Sequence, residues 1–280
     1  MSQIKIVTDS TSDLPAEVLK KYNIEVVPLT ISIDGESYED GVDITPEEFL
    51  DKMADSRELP KSSQPPAGAF LEAYKKLGAD GSRILSIHMT AGLSGTVRSA
   101  ESAAGMAEED VTVWDSNYIS RGLGFQVVEA AQMAEQGKSM EEILERLDYI
   151  RSHTRLYIMV DTLDNLVKGG RVGKVNAFLG SLLNIKPIAL LEEGVLQPLA
   201  KARSGSQVVK YLTRQFTEDF NSGHIKGVGV AHARGEEIAL KVIDSITRST
   251  GIEDVSLGFT TPIVSTHTGA GAFALMYYFD

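Results

Sequence analysis

Four short segments carry the side chains that could grip a small anion. Lys61-Ser62-Ser63-Gln64-Pro65-Pro66 sets two hydroxyls ahead of a helix expected to open at Pro66. Helix N-termini expose unpaired N–H groups and attract negative charge, although a serine there can simply cap the helix. Thr90-Ala91-Gly92-Leu93-Ser94-Gly95-Thr96 lies between an expected strand, Arg83–His88, and an expected helix, Ser94–Ala107. Ligands of open parallel sheets sit outside the carboxyl ends of strands, where this loop must be. Ser94 is a donor there, or the cap of a tight turn. In Leu163-Asp164-Asn165-Leu166-Val167-Lys168-Gly169-Gly170-Arg171 the glycine pair should end a helix and leave Arg171 on irregular chain. Its guanidinium suits carboxylate or phosphate, and a plain surface arginine is the competing reading. Ser265-Thr266-His267-Thr268-Gly269-Ala270-Gly271 offers His267 as a donor or proton shuttle, followed by glycines expected to open a short helix.

Together these segments describe a grip for a carboxylate or phosphate. Nothing beside them forms a catalytic centre, so no catalytic residue and no metal ligand is assigned. Gly269-Ala270-Gly271 with Ala274 matches a dinucleotide fingerprint, but the chain ends at Asp280, before the acidic residue that motif needs. Gly169-Gly170-Arg171-Val172-Gly173-Lys174 is too short for a P-loop and has Val175 where a magnesium-binding hydroxyl belongs. Without cysteine, and with five histidines in no zinc-like spacing, a structural zinc site is disfavoured. A Ser–His–Asp triad could be assembled from many residues, but no G-x-S-x-G elbow supports one.

The elements that must hold these segments alternate. The 280 residues suggest about two domains. Hydrophobic residues at 42% and charged residues at 24% are ordinary for a soluble globular chain. A formal charge of −12 repels nucleic-acid backbones and anionic membranes. No run is long and apolar enough for a transmembrane segment, no signal peptide is expected, and a cytoplasmic setting is the default. Strand–helix alternation to about Thr154 predicts a parallel sheet covered on both faces. Strands are expected at Ile4–Val7, Ile24–Ile33 with a turn at Asp34-Gly35, Arg83–His88 and Val111–Trp114. Helices are expected from Pro15, after the capping box at Thr45, from Pro66, over Ser94–Ala107 and Gly124–Gln136, and after the capping box at Ser139. Residues 57–65 read as loop. Beyond Thr154, helical stretches at Leu163–Lys168 and Val175–Leu183 and a hairpin from Ile185–Leu191 and Val195–Lys201 precede further α/β alternation, which predicts a mixed sheet. The fold class is therefore α/β: an N-terminal α/β/α domain over 1–154 and a C-terminal mixed-sheet α/β domain over 155–280.

At full length the chain resembles the DegV family, which includes the bacterial fatty-acid-binding proteins called FakB. The resemblance runs through Ile6-Val7-Thr8-Asp9-Ser10-Thr11-Ser12-Asp13-Leu14, Ser62-Ser63-Gln64-Pro65, Leu93-Ser94-Gly95-Thr96 and Asp115-Ser116. It continues through Gly169-Gly170-Arg171, Asn184-Ile185-Lys186-Pro187, Lys201-Ala202-Arg203 and His267-Thr268-Gly269-Ala270-Gly271. It implies a carrier with no cofactor, holding a long-chain fatty acid such as palmitate at the junction of two α/β domains. The family's carboxylate-binding positions fall on Ser62, Ser63, Ser94, Arg171 and His267. Arg203, again with His267, is implied to support a partner and phosphoryl transfer. That partner is a separate fatty acid kinase (FakA in the resembling systems), whose acyl-phosphate product feeds phospholipid synthesis. Two departures stand out: Ser62 replaces the usual threonine, and Ala270 the usual proline between glycines.

Two other classes remain open on the residues alone: an enzyme acting on a small phosphorylated or carboxylated metabolite, and a ligand-sensing or partner-binding module. Leu123, Phe125, Phe178, Leu179 and Phe273 could wall an acyl tail, but core packing accounts for each.

Overall fold

The computed structural model describes residues 3–178 and 185–280. Its first sheet contains β1 (Ile4–Asp9), β2 (Glu25–Val27), β6 (Arg83–His88) and β7 (Val111–Asp115), in the order β2-β1-β6-β7 and parallel throughout. The period-2 alternation of β1 and β6 sends Val7 and Ile84 to one face. There they pack beneath α3 (Ala67–Gly78) and α4 (Thr96–Met106). Ile6, Leu85 and Ile87 go to the other face, against Leu123 and Val127 of α5 (Ser120–Glu135). Around this sheet run α1 (Ala16–Lys21), α2 (Pro46–Asp55) and α6 (Met140–Ser152). Both expected capping boxes form: Thr45 opens α2 and Ser139 opens α6.

At Thr154 the chain enters a second, mixed sheet of six strands. Its members are β8 (Thr154–Met159), β9 (Lys186–Glu192), β10 (Val195–Ala202), β11 (Ile225–Ala233), β12 (Ser256–Phe259) and β13 (Ala272–Phe279), in the order β10-β9-β8-β13-β11-β12. One face packs on α8 (Gly205–Ser222) and α9 (Glu236–Thr250) through residues such as Tyr157, Phe216, Val242 and Tyr277. The other face, through Leu156, Ile158, Ala231 and Met276, joins the core that contains α5. α5 contacts strands of both sheets, so one apolar core runs through it from sheet to sheet. Two short helices, α7 (Asp164–Lys168) and α10 (Pro262–Thr268), complete the C-terminal half with a 3-10 turn, Gly173–Phe178.

Five departures from the sequence reading bear on function. Residues 57–65 are not all loop: Lys61–Ser63 forms β5, paired antiparallel with β3 (Thr30–Ile33), which in turn pairs with β4 (Glu36–Glu39). This third sheet, β4-β3-β5, was hidden because β5 is short, polar and gains its bonds from a strand about thirty residues earlier in the chain. The expected single strand Ile24–Ile33 is two, β2 and β3, in different sheets. α5 starts at Ser120, ahead of two glycines that propensity disfavours. They are tolerated because Gly124 lies against the Ser12 carbonyl and Leu14, and Gly122 against Tyr118. Finally, the helix near the C-terminus precedes Gly269 rather than following it. Pro262 opens α10, and Gly269 ends it at a φ of 74°. The apolar run Ala272–Phe279 then becomes a central strand between β8 and β11. The expected helix over Val175–Leu183 is a 3-10 turn as far as Phe178. Its remainder and Asn184 lie outside the described residues.

Candidate functional site

Strands of the second and third sheets, the loops after β6 and before α5, and α7 and α10 line a cavity of about 290 Å³. One end is polar, lined by Ser62, Ser63, Gln64, Ser94, Arg171, His267 and Thr268. Exposed Ser63 and Gln64 place this end at the surface. The rest of the wall is apolar and mostly buried: Leu29 beside β3, Met89 after β6, Ile119 before α5, Leu156 and Ile158 on β8, Leu166 on α7, Leu196 on β10 and Ile263 on α10. An apolar bore with hydroxyls, a guanidinium and an imidazole at its mouth matches an amphiphile with an anionic head. A buried anion needs such donors.

Each polar residue is placed by local chemistry. Ser62 and Ser63 sit on β5, held in register by Ile31 and Thr30 of β3. They do not cap α3, whose N-cap is Pro66 with no side-chain bond. Ser62 Oγ lies 2.7 Å from His267 Nε2, so a strand of the third sheet meets the last turn of α10 at the mouth. Ser94 Oγ is 2.9 Å from Thr96 Oγ1 and accepts from the Thr96 amide at the start of α4. The expected serine cap is not formed: α4 starts at Thr96 with Gly95 as its N-cap and no side-chain cap bond, and Ser94 shapes the turn ahead of it. Arg171 leaves the glycine pair as expected. Its Nε donates to the Leu93 carbonyl and one Nη to the Gly169 carbonyl, which ties it to the loop that carries Ser94. Burial and the nearby Arg171 charge together push the pKa of His267 down to about 4, so the imidazole is neutral at pH 7 and Arg171 supplies the positive charge. Arg203 does not line the cavity. It is exposed just beyond β10, with its amide donating to Gln207 Oε1.

Supports that sequence reasoning missed surround these residues. Gly169 has ordinary helical angles, yet a Cβ there would come within 2.4 Å of His267 Nδ1; the side chain is absent to make room for the ring. The Ser94 loop is held from three directions. Asp115 Oδ2 accepts from the Ala91 amide. Thr90 Oγ1 donates to the carbonyl of Gly194 in the β9–β10 turn. At its root, Asp9 Oδ2 accepts from the Met89 amide and faces His88 Nδ1, whose Nε2 meets Ser86 Oγ. Ser86, His88 and Asp9 are one Ser–His–Asp set, not singled out in the sequence; all three are fully buried and none lines the cavity. Through the Met89 amide the set holds the root of the loop. The "Thr-Asp-Ser" and "Asp-Ser" motifs of the sequence were the available signals for Asp9 and Asp115.

Of the residues weighed for an acyl tail, Leu123, Phe125 and Phe273 do not line the cavity, and Phe273 packs in the core between the second sheet and helices α8 and α9. The Phe178 side chain and Leu179 lie outside the described residues. Among the described residues no group of His, Cys, Asp and Glu could hold a metal ion, and no helix is long and apolar enough to cross a membrane.

A parallel and a mixed α/β sheet joined through α5, with an apolar cavity whose mouth carries hydroxyls, a guanidinium and an imidazole, make an α/β fold of a defined kind. Comparison with known proteins gives its family. The chain belongs to the DegV family: the family model, described as "uncharacterised protein, DegV family", matches residues 3–280. A DegV domain-containing protein of Listeria monocytogenes is 50% identical over 281 residues, covering 100% of both chains. The structure of a fatty-acid-binding DegV family protein from Thermus thermophilus superposes with a TM-score of 0.94 at 32% identity, covering 99% of this chain and 100% of that one. The structure of DegV, a fatty acid binding protein from Bacillus subtilis, gives 0.92 at 32% identity, with 100% of each chain covered.

Proposed function

We propose that this protein is a fatty-acid carrier. It holds a long-chain acid such as palmitate with its carboxylate among Ser62, Ser63, Ser94, Arg171 and His267, and presents that carboxylate to a separate fatty acid kinase. The observation that carries the reading is the cavity itself, apolar along its bore and donor-rich only at its mouth. The fatty-acid-binding members of the family noted above support the same ligand. Burying a tail of ~14 methylenes at ~0.8 kcal/mol each offers ~11 kcal/mol before costs, a ceiling near nanomolar affinity. The head then fixes orientation.

In the proposed reaction a carboxylate oxygen attacks the γ-phosphoryl group of ATP on the kinase, releasing ADP and leaving an acyl phosphate for phospholipid synthesis. The carrier's residues orient the carboxylate and steady its charge; the nucleotide chemistry belongs to the other chain. The proposed domains are 1–154 and 155–280, with the ligand at their junction, and the proposed setting is the bacterial cytoplasm. A small phosphorylated metabolite would leave the apolar bore unfilled, so the enzyme reading has no observation in its favour.

Organic extraction and mass spectrometry of protein purified from a bacterial host tests the proposal. A stoichiometric C14–C18 acid is expected. Protein that is repeatedly recovered empty, and that also fails to bind added palmitate, would overturn it.

A further inference from the structure

The donors at the mouth come from four separate stretches of chain, and the contacts between those stretches close into a ring. Ser62 on β5 meets His267 on α10 at 2.7 Å. Asn165 of α7 donates through Nδ2 to the Thr266 carbonyl, which ties α10 to the segment that leads into Arg171. Arg171 donates to the Leu93 carbonyl in the Ser94 loop. That loop runs into α4, where Ser99 Oγ accepts from Gln64 Nε2 at 2.9 Å. Gln64 directly follows Ser63, so the circuit returns to β5.

Gln64 closes that circuit by packing as well as by its bond. It precedes Pro65, which confines its backbone to extended conformations. Its amide lies against Gly95: a Cβ on that glycine would fall 2.1 Å from Gln64 Oε1 and 2.7 Å from both Cδ and Nε2. Gly95 has a φ of −81° and a ψ of 8°, angles open to other residues. Its missing side chain therefore serves the close approach of the amide and not the backbone. Gly95 directly follows Ser94, as Gln64 directly follows Ser63. The amide thus spans the gap between the two segments that bring serine hydroxyls to the mouth, and it fixes how far apart they stand.

We propose that Gln64 is a positioning residue for head-group recognition: seated on Gly95 and bonded to Ser99, it holds the β5 hydroxyls and Ser94 at the separation that the two oxygens of one carboxylate require. The inference rests on the fatty-acid reading of the cavity. Hydrogen bonds weaken steeply when donor and acceptor drift out of line, so a loosened ring costs recognition of the charged head. The acyl tail lies along the apolar bore, and its burial does not depend on that alignment.

Equilibrium competition on delipidated protein tests this, with palmitate set against cetyl alcohol, which has the same length of chain and a neutral head. The quantity read is the ratio of the two affinities, and melting curves confirm that each variant is folded. In Gln64→Ala the preference for palmitate should fall about 3- to 12-fold, up to the loss of one hydrogen bond to a charged group, while cetyl alcohol binds as it does to the parent. Ser99→Ala, which leaves the glutamine in place, should move the ratio the same way. Gly95→Ala should do so too, by evicting the amide. Added to Gln64→Ala it should cost nothing further, because its methyl enters space the amide has left; such non-additivity marks residues that act through one contact. An unchanged ratio in folded Gln64→Ala and Ser99→Ala overturns the inference. So do equal losses for both ligands, which mark a purely structural role, and so do additive effects of Gly95→Ala and Gln64→Ala. A parent that binds both ligands alike refutes the head-group reading and the inference with it; a parent that binds neither refutes the carrier reading.

Discussion

Ser94 serves two masters at one oxygen, accepting from the Thr96 amide at the start of α4 and lining the mouth of the cavity. A hydrogen bond to a charged group contributes ~1.5–3 kcal/mol, so Ser94→Ala should weaken fatty-acid binding about 10- to 150-fold, measured by titration calorimetry on delipidated protein. Ser62→Ala and Ser63→Ala should cost less. An unchanged affinity in a folded Ser94→Ala protein would leave the residue as part of the turn ahead of α4 only. Gly169 makes a sharper case. Its backbone would accept alanine, but the methyl would sit 2.4 Å from the His267 ring. Gly169→Ala should therefore displace the imidazole from Ser62 and weaken ligand binding several-fold, while far-ultraviolet circular dichroism stays that of the parent. Full affinity in Gly169→Ala would show that the His267 position is immaterial to the head group.

At the scale of the element, α10 carries Ile263, Val264, His267 and Thr268 into the cavity, and buried carboxylates hold its N-terminal end. Asp13 accepts from the Thr261 amide, and Asp40 from the Ile263 amide. Burial pushes the pKa of Asp40 up to about 7, with hydrogen bonds from Ser10 and Ile263 opposing the shift and the Asp13 charge adding to it. Burial also raises that of Asp13. Below about pH 4 both chain states carry the proton and there is no penalty. Between about 4 and 7 the unfolded chain ionises first, so stability falls as pH rises, by roughly 4 kcal/mol at most for Asp40. Asp40→Asn keeps an acceptor for Ile263 and cannot ionise. Denaturant titrations from pH 4 to 8 should show a flatter profile for this variant and a gain over the parent at pH 8. An unchanged slope would mean that Asp40 titrates normally.

At the scale of the whole molecule, the cavity draws its wall from two sheets, two short helices and the loops after β6 and before α5, and the turn of the β9–β10 hairpin meets the Ser94 loop through Gly194 and Thr90. Arg203, just beyond the end of that hairpin, is exposed and lies outside the cavity lining. Under the proposed function, a role in meeting the kinase suits that position better than a role in retention. Arg203→Ala should keep fatty-acid occupancy near that of the parent while acyl-phosphate formation with kinase, ATP and magnesium falls. His267→Ala should lose turnover more than it loses occupancy, because tail burial dominates affinity. Equal loss of ligand and turnover in Arg203→Ala would return that residue to simple binding, and full turnover would remove it from the reaction.

Much of this was legible in one dimension. Period-2 apolar runs marked β1, β6 and β8, capping boxes marked α2 and α6, and Asp34-Gly35 marked the turn between β3 and β4, because these signals act within a few residues of where they are written. The segments around Ser62, Ser94, Arg171 and His267 could also be singled out from residue types alone, and the structure brings them to one cavity. What the chain alone could not convey was who meets whom. β5 exists because β3 offers it a partner. α10 ends at Gly269, and the strand after it is central because β8 and β11 flank it. Gly169 is small because His267, about a hundred residues later, needs the space. Asp40 is perturbed because folding buries it beside Asp13 under α10. Spacing and propensity are local, whereas register, burial and close approach are settled only when distant segments pack against one another.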